Sequence, residues 1–262
     1  MQFMILRRAD QRSESGPLPA AEAELLFAHL QPSTSAVRLT LHNGEASISH
    51  GPFPDPSEMI AGFAVVDVPT LADAVEWLKR WPTSEQEAEL EIRESGCPGG
   101  CADVVAAHVD DPQGRRFAIL LRSSRALEDE APVPQPVLDR LDVHNALEAK
   151  AGRLLAADGL RTSARGARVK VAKNSFSVID GPFTEIKEMI AGFWLIRVPA
   201  LEDAIAWAKR NPYPSGPEVE VEIRELFEAR HDIDRFTPDL QAAEQRIRAE
   251  QLEAGMRAHF TA

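Results

Sequence analysis

The spacing of apolar residues is clearest in the second half of the chain. Phe117–Arg122, "FAILLR", reads as a short buried strand. Val137, Leu138, Leu141, Leu147, Leu154 and Leu155 recur at helical spacing and predict a helix over Pro136–Ala157. Arg168–Ala172 and Phe176–Ile179 alternate as strands about a Lys173-Asn174 turn. Gly192–Val198, "GFWLIRV", is a continuous apolar strand. Pro199 then opens a helix with Leu201, Ala204, Ile205 and Ala208 on one face. Asn211-Pro212 closes that helix, because a residue before proline disfavours helical backbone. Glu218–Leu226, "EVEVEIREL", alternates as a last strand.

The same pattern is written earlier in the chain. His50–Pro82 aligns on Asp180–Pro212 without a gap, and 18 of 33 positions are identical. Gly51-Pro52-Phe53 falls on Gly181-Pro182-Phe183, and "EMIAGF" occurs in both. The match resumes at Ile92-Arg93-Glu94 against Ile223-Arg224-Glu225. A period this long marks duplication of a whole folding unit and not a solenoid repeat. The first copy opens with Phe3–Arg7 as its strand, has only Pro19–Leu30 for its first helix, and carries the hairpin signal His42-Asn43-Gly44.

Each copy therefore reads β-α-β-β-β-α-β, a ferredoxin-like α+β core with an extra hairpin. The expected organisation is a first repeat over 1–95, a linker over 96–114, a second repeat over 115–227 and a helical tail over 228–262. In the tail, Thr237 and Pro238 start a helix whose apolar stripe is Leu240, Ala243 and Ile247.

Composition narrows the function classes. The chain has 262 residues, 44% apolar content and a net charge of −12. That acidity argues against a nucleic-acid partner and against an anionic membrane surface. No apolar run is long enough to span a membrane, and "MQFMILRRAD" meets charge too early for a secretory signal. With only Cys97 and Cys101, a reducing, cytoplasmic setting is the simplest expectation. "CPGGC" is too sparse for a zinc site and has the wrong spacing for a redox pair, although a local disulfide is geometrically feasible. No phosphate loop, nucleophile elbow or dinucleotide fingerprint is present, so neither metal nor cofactor is expected.

These residues resemble the YCII-related, or DGPF, family. The second copy carries the resemblance in "FAILLR", "AADGL", "RVKVAKNSFSVIDGPFTEIKEMIAGFWLIRV" and "EVEIRELFEARHDI". The resemblance implies ferredoxin-like units that pair sheet to sheet into an α/β barrel, usually as a homodimer. A duplicated chain is expected to form that pair internally, and a homodimer of whole chains stays open. Burying the exposed apolar face of each sheet demands such a partner on physical grounds too. The family implies no settled activity. Its members often neighbour genes for sigma factors.

The candidate site is the loop after the second hairpin. Asp180 ends a strand before Gly-Pro and reads either as a general base in a cleft or as a turn-forming Asx residue. Glu185 and Lys187 would add a charged wall that holds an anionic or carbonyl-bearing ligand. Their counterparts Asp55 and Ser57, and His50 in place of Asp180, make the first copy a divergent site. His144 reads as a second proton-transfer group or a satisfied packing histidine, and Arg168 as an anion hook or a strand-face charge. Two functions follow. One is binding of a small molecule with isomerase- or lyase-type proton transfer in the second repeat. The other is a non-catalytic sensor or regulatory partner, for instance of a sigma factor.

Overall fold

The hairpins form where alternation places them, but each joins the sheet of the other repeat. The computed structural model describes residues 1–43, 45–82, 84, 87–97, 104, 114–214 and 218–227. The expected tail helix and most of the linker, including Cys101, lie outside the described residues. The first repeat contains β1 (Gln2–Arg8), α1 (Ala20–Ala23), β2 (Ala28–His29), β3 (Val37–His42), β4 (Glu45–His50), β5 (Ile60–Asp67), α2 (Leu71–Trp77) and β6 (Ala88–Glu94). The second contains β7 (Arg115–Arg122), α3 (Arg125–Glu128), α4 (Gln135–Lys150), β8 (Leu154–Gly159), β9 (Ala167–Ala172), β10 (Ser175–Asp180), β11 (Ile190–Val198), α5 (Leu201–Arg210) and β12 (Glu218–Glu225).

Two six-stranded antiparallel sheets result. Their orders are β10-β9-β6-β1-β5-β2 and β4-β3-β12-β7-β11-β8. The hairpin β3–β4 of the first repeat lies beside β12 of the second, and β9–β10 lies beside β6. Side-chain alternation explains why the exchange is stable. Val37 and Leu39 enter the helix-covered core of the second sheet, and Val169 and Val171 enter that of the first. Register sets Arg38 opposite Glu222 and Arg168 opposite Glu91.

The other faces of the two sheets bury each other. Met4, Leu6 and Phe63 meet Leu120, Phe193 and Leu195 in one apolar cluster. The Phe63 and Phe193 rings, at equivalent positions, lie 4.7 Å apart. Backbone hydrogen bonds also join the sheets at both edges. Gln31 donates to Glu225 and Phe227 to His29, while Gly96 donates to Gly159 and Arg161 to Glu94. On the outside, α2 covers the first sheet, and α4 and α5 cover the second.

Two expectations need correction. The predicted helix over Pro136–Ala157 stops at Lys150, and Leu154–Gly159 is an edge strand paired with β11. Gly152 takes a left-handed φ of 71° just past the C-cap Ala151. The Gly152 N–H bonds to the Ala149 carbonyl and the Arg153 N–H to that of Glu148, which ends the helix in a Schellman turn. Leu154 and Leu155 had matched helical spacing only by continuing the apolar run across that turn. In the first repeat, the Pro19–Leu30 helix shrinks to α1, and its end becomes strand β2. Each copy thus has one more strand than alternation indicated.

Candidate functional site

The shared Gly-Pro-Phe segment is built into two equivalent ionic clusters. A Cβ on Gly181 would stand 1.9 Å from the Ser163 carbonyl oxygen, and one on Gly51 1.7 Å from that of Ser33. Only glycine lets the backbone approach so closely. The following phenylalanines stack on arginines of the exchanged strands, Arg168 over Phe183 at 4.4 Å and Arg38 over Phe53 at 4.1 Å. Arg168 pairs with Glu91 at 3.0 Å and Glu188 at 2.9 Å. Arg38 pairs with Glu222 at 3.1 Å and Glu58 at 2.9 Å. Arg93 and Arg224 complete the clusters on Glu91 and Glu222. Burial pushes the Glu222 carboxyl up, but Arg224, Arg122 and Arg38 outweigh it and hold the group below its usual range.

Arg8 and Arg122, at the ends of equivalent strands, reach the backbone of the "EMIAGF" turns. Arg8 donates to the carbonyls of Ser57 and Glu188, and Arg122 to those of Glu58 and Lys187. The Glu of "EMIAGF" is thus a partner for an exchanged arginine, and the turn itself is tied across the two repeats.

The residues expected to form the site do not converge. Asp180 is the exposed last residue of the outermost strand β10, and its carboxylate has no hydrogen-bond partner among the described residues. His50 is likewise exposed at the end of β4, and Glu185 and Lys187 are exposed in their loop. Arg168 is committed to two carboxylates. Lys187 borders a polar hollow with Arg38 and Arg122, but Glu58, Glu218 and Glu220 line it too, so its charges balance. His144 lies on α4, over the other sheet from Asp180. Its ring sits 5.3 Å from that of Trp207, and its Nε2 is buried without a partner. Burial lowers its pKa, with Glu148 opposing, so the ring is neutral at pH 7.

A cleft does exist in the second repeat, between α4 and the sheet. Leu121, Leu141 and Trp194 form its apolar walls, and Ala157, Ala191 and Gly192 leave its floor open. Its polar groups are Asn145, Asp158 and Gln2. Trp194 Nε1 donates to Asn145 Oδ1 at 3.2 Å, and Tyr213 packs edge-on against Trp194 at 5.3 Å. Cys97 stands at the rim and is disulfide-bonded. Among the described residues, no group of three or more His, Cys, Asp or Glu side chains is placed to hold a metal.

The described residues of the first repeat fill the equivalent space. Leu121 is replaced by Arg7, Trp194 by Ala64 and Asp158 by Ala28. Arg7 is buried and pairs with Glu22 of α1 at 3.1 Å, and Glu22 also takes Arg12 at 2.7 Å. The first of these is visible where "FMILRR" faces "FAILLR", and the second where "AGFA" faces "AGFW". Asp158 is not apparent from spacing, because "AADGL" continues the helical pattern although it is strand paired with β11.

The family pattern described as YCII-related domain matches residues 1–94 and 116–228, well over half of the chain. The chain belongs to the YCII-related family. A comparison with curated proteins finds no match. The two matched segments are consistent with tandem duplication of a YCII-related domain. No helix of the described residues is long and apolar enough to cross a membrane.

Proposed function

We propose that this YCII-related protein binds one small molecule per chain, in the cleft beneath α4 of the second repeat. The carrying observation is the contrast at Leu121 and Arg7. The same strand position opens an apolar wall in one repeat and fills the space with a buried ion pair in the other. Concave sites that combine apolar walls with a few placed polar groups are where small ligands bind.

The scaffold reading belongs with this proposal. The order β6-β1-β5-β2 and its counterpart β12-β7-β11-β8 support ferredoxin-like repeats. The hydrogen bonds joining β2 to the end of β12, and β8 to the end of β6, support closure of the pair into one barrel. Asp158 is the single titratable carboxylate of the described lining, so any proton transfer in the cleft falls to it. That favours ligand binding over two-group acid–base catalysis. Asp180, Glu185 and Lys187 then belong to the exposed loop, and His144 to the packing between α4 and α5.

The test is a thermal-shift screen of small metabolites on the full chain and on Ala157→Leu, which fills the cleft floor. Hits that raise the melting temperature of the wild type and vanish in the variant support the proposal. Hits that survive in Ala157→Leu, or a broad screen without hits, contradict it.

A further inference from the structure

We infer that the cleft selects an uncharged ligand, with an apolar body and a carbonyl oxygen that accepts from Asn145. The inference rests on the cleft being the binding site. Tryptophan Nε1–H is a donor only, so the Asn145 atom 3.2 Å from it is the amide oxygen. This fixes the side-chain flip that is otherwise a matter of assignment. The amide nitrogen therefore points away from Trp194. It makes no hydrogen bond among the described residues, and it is not among the sealed-off atoms that lack a partner. Asn145 itself is 6% exposed and lines the cleft. The result is an oriented N–H donor facing the cleft beside the apolar walls of Leu121, Leu141 and Trp194, ready for an acceptor.

The charge of the acceptor follows from what else lines the cleft. Among the described residues the lining holds no Lys, Arg or His, and its one ionisable carboxylate is Asp158. A carboxylate or phosphate entering there would lose its hydration and meet no Lys, Arg or His of the described lining to pair with. A ketone, aldehyde, ester or amide oxygen takes the Asn145 donor without that cost. Leu121, Leu141 and Trp194 then cover the body of the molecule.

The probes are acetophenone, benzoate and ethylbenzene, which share a ring and differ in the group offered to Asn145. They are titrated into the full chain by NMR, following the Asn145 side-chain amide and the Trp194 indole. Acetophenone is expected to bind about tenfold more tightly than either of the others, the worth of one good neutral hydrogen bond. It should shift both Asn145 amide protons. Asn145→Asp keeps an acceptor for Trp194 and removes the donor, so it should abolish the preference for acetophenone over ethylbenzene. The double variant Asn145→Leu/Trp194→Phe removes the polar pair together and should do the same if the first variant folds poorly. Benzoate binding as tightly as acetophenone, or a preference that survives the substitutions, overturns the inference. Ethylbenzene binding with no gain from the carbonyl overturns it alone and leaves the cleft reading standing. If no probe, ethylbenzene included, moves the Trp194 signal, the cleft reading falls and this inference with it.

Discussion

The two repeats share a strand pattern and differ in what lies under their first helices. In the first, α1 is a single turn, and the buried Arg7 is held by Glu22 and Asp10. In the second, α4 runs from Gln135 to Lys150 and leaves a cleft of mixed lining against Leu121 and Trp194. Around the exchanged hairpins they remain alike, down to Glu14 and Glu128, which accept from the backbone N–H groups of Ser33 and Ser163 at 2.8 Å each. Duplication preserved the parts through which each copy holds the other. The part that one copy can carry alone diverged.

The largest expected effects test that shared scaffold. Glu91→Ala and Glu222→Ala each strand buried arginines without a counter-charge. Each should cost about 3–5 kcal/mol in denaturant unfolding, since breaking a buried pair leaves an uncompensated charge. A near-neutral result for one and not the other would break the equivalence of the clusters. Glu222 also links stability to pH. Its folded pKa lies below its unfolded value, so its contribution is complete above the ordinary glutamate value of about 4.3. That contribution is lost as pH falls through the folded value. Melting temperature should therefore fall more steeply with acid in the wild type than in Glu222→Gln.

Next come the glycines of Gly-Pro-Phe. Gly51→Ala and Gly181→Ala drive a methyl group into a backbone carbonyl and should each cost about 1–3 kcal/mol by the same unfolding measurement. Equal losses in both repeats mean that the motif is structural. A loss of ligand binding without loss of stability in Gly181→Ala would return the site to that loop.

The ion pair that fills the first repeat gives a smaller effect. Arg7→Leu/Glu22→Leu replaces both charges by apolar groups and should stay within about 1 kcal/mol of wild type, whereas Glu22→Leu alone should cost more. The smallest effect belongs to Asp180→Asn. An exposed carboxylate without a partner should change stability by no more than about 0.5 kcal/mol and leave ligand binding unchanged.

Much of the fold could be read from residue order. The repeat, the hairpin turns and the helix of Leu201–Arg210 all follow from local spacing and turn chemistry. Which sheet each hairpin joins does not, because alternation tells which side chains share a face and not which neighbour pairs with them. The boundary at Gly152 carried a local signal, but apolar spacing on both sides of it disguised a strand as more helix. The prominent Asp180 drew attention because it differs between copies within a repeated motif. Leu121, Asp158 and Trp194 differ between copies as well, yet their meaning depends on α4 lying over them, a tertiary fact.

On the proposed reading, the scaffold is written twice and the site once. A crystal structure of the full chain with a ligand from the thermal-shift screen tests it most directly. One ligand per chain is expected, beneath α4, with its oxygen at the Asn145 amide and its body against Trp194. A ligand seated at Asp180 and Lys187, or two ligands at equivalent positions of the two repeats, would contradict it.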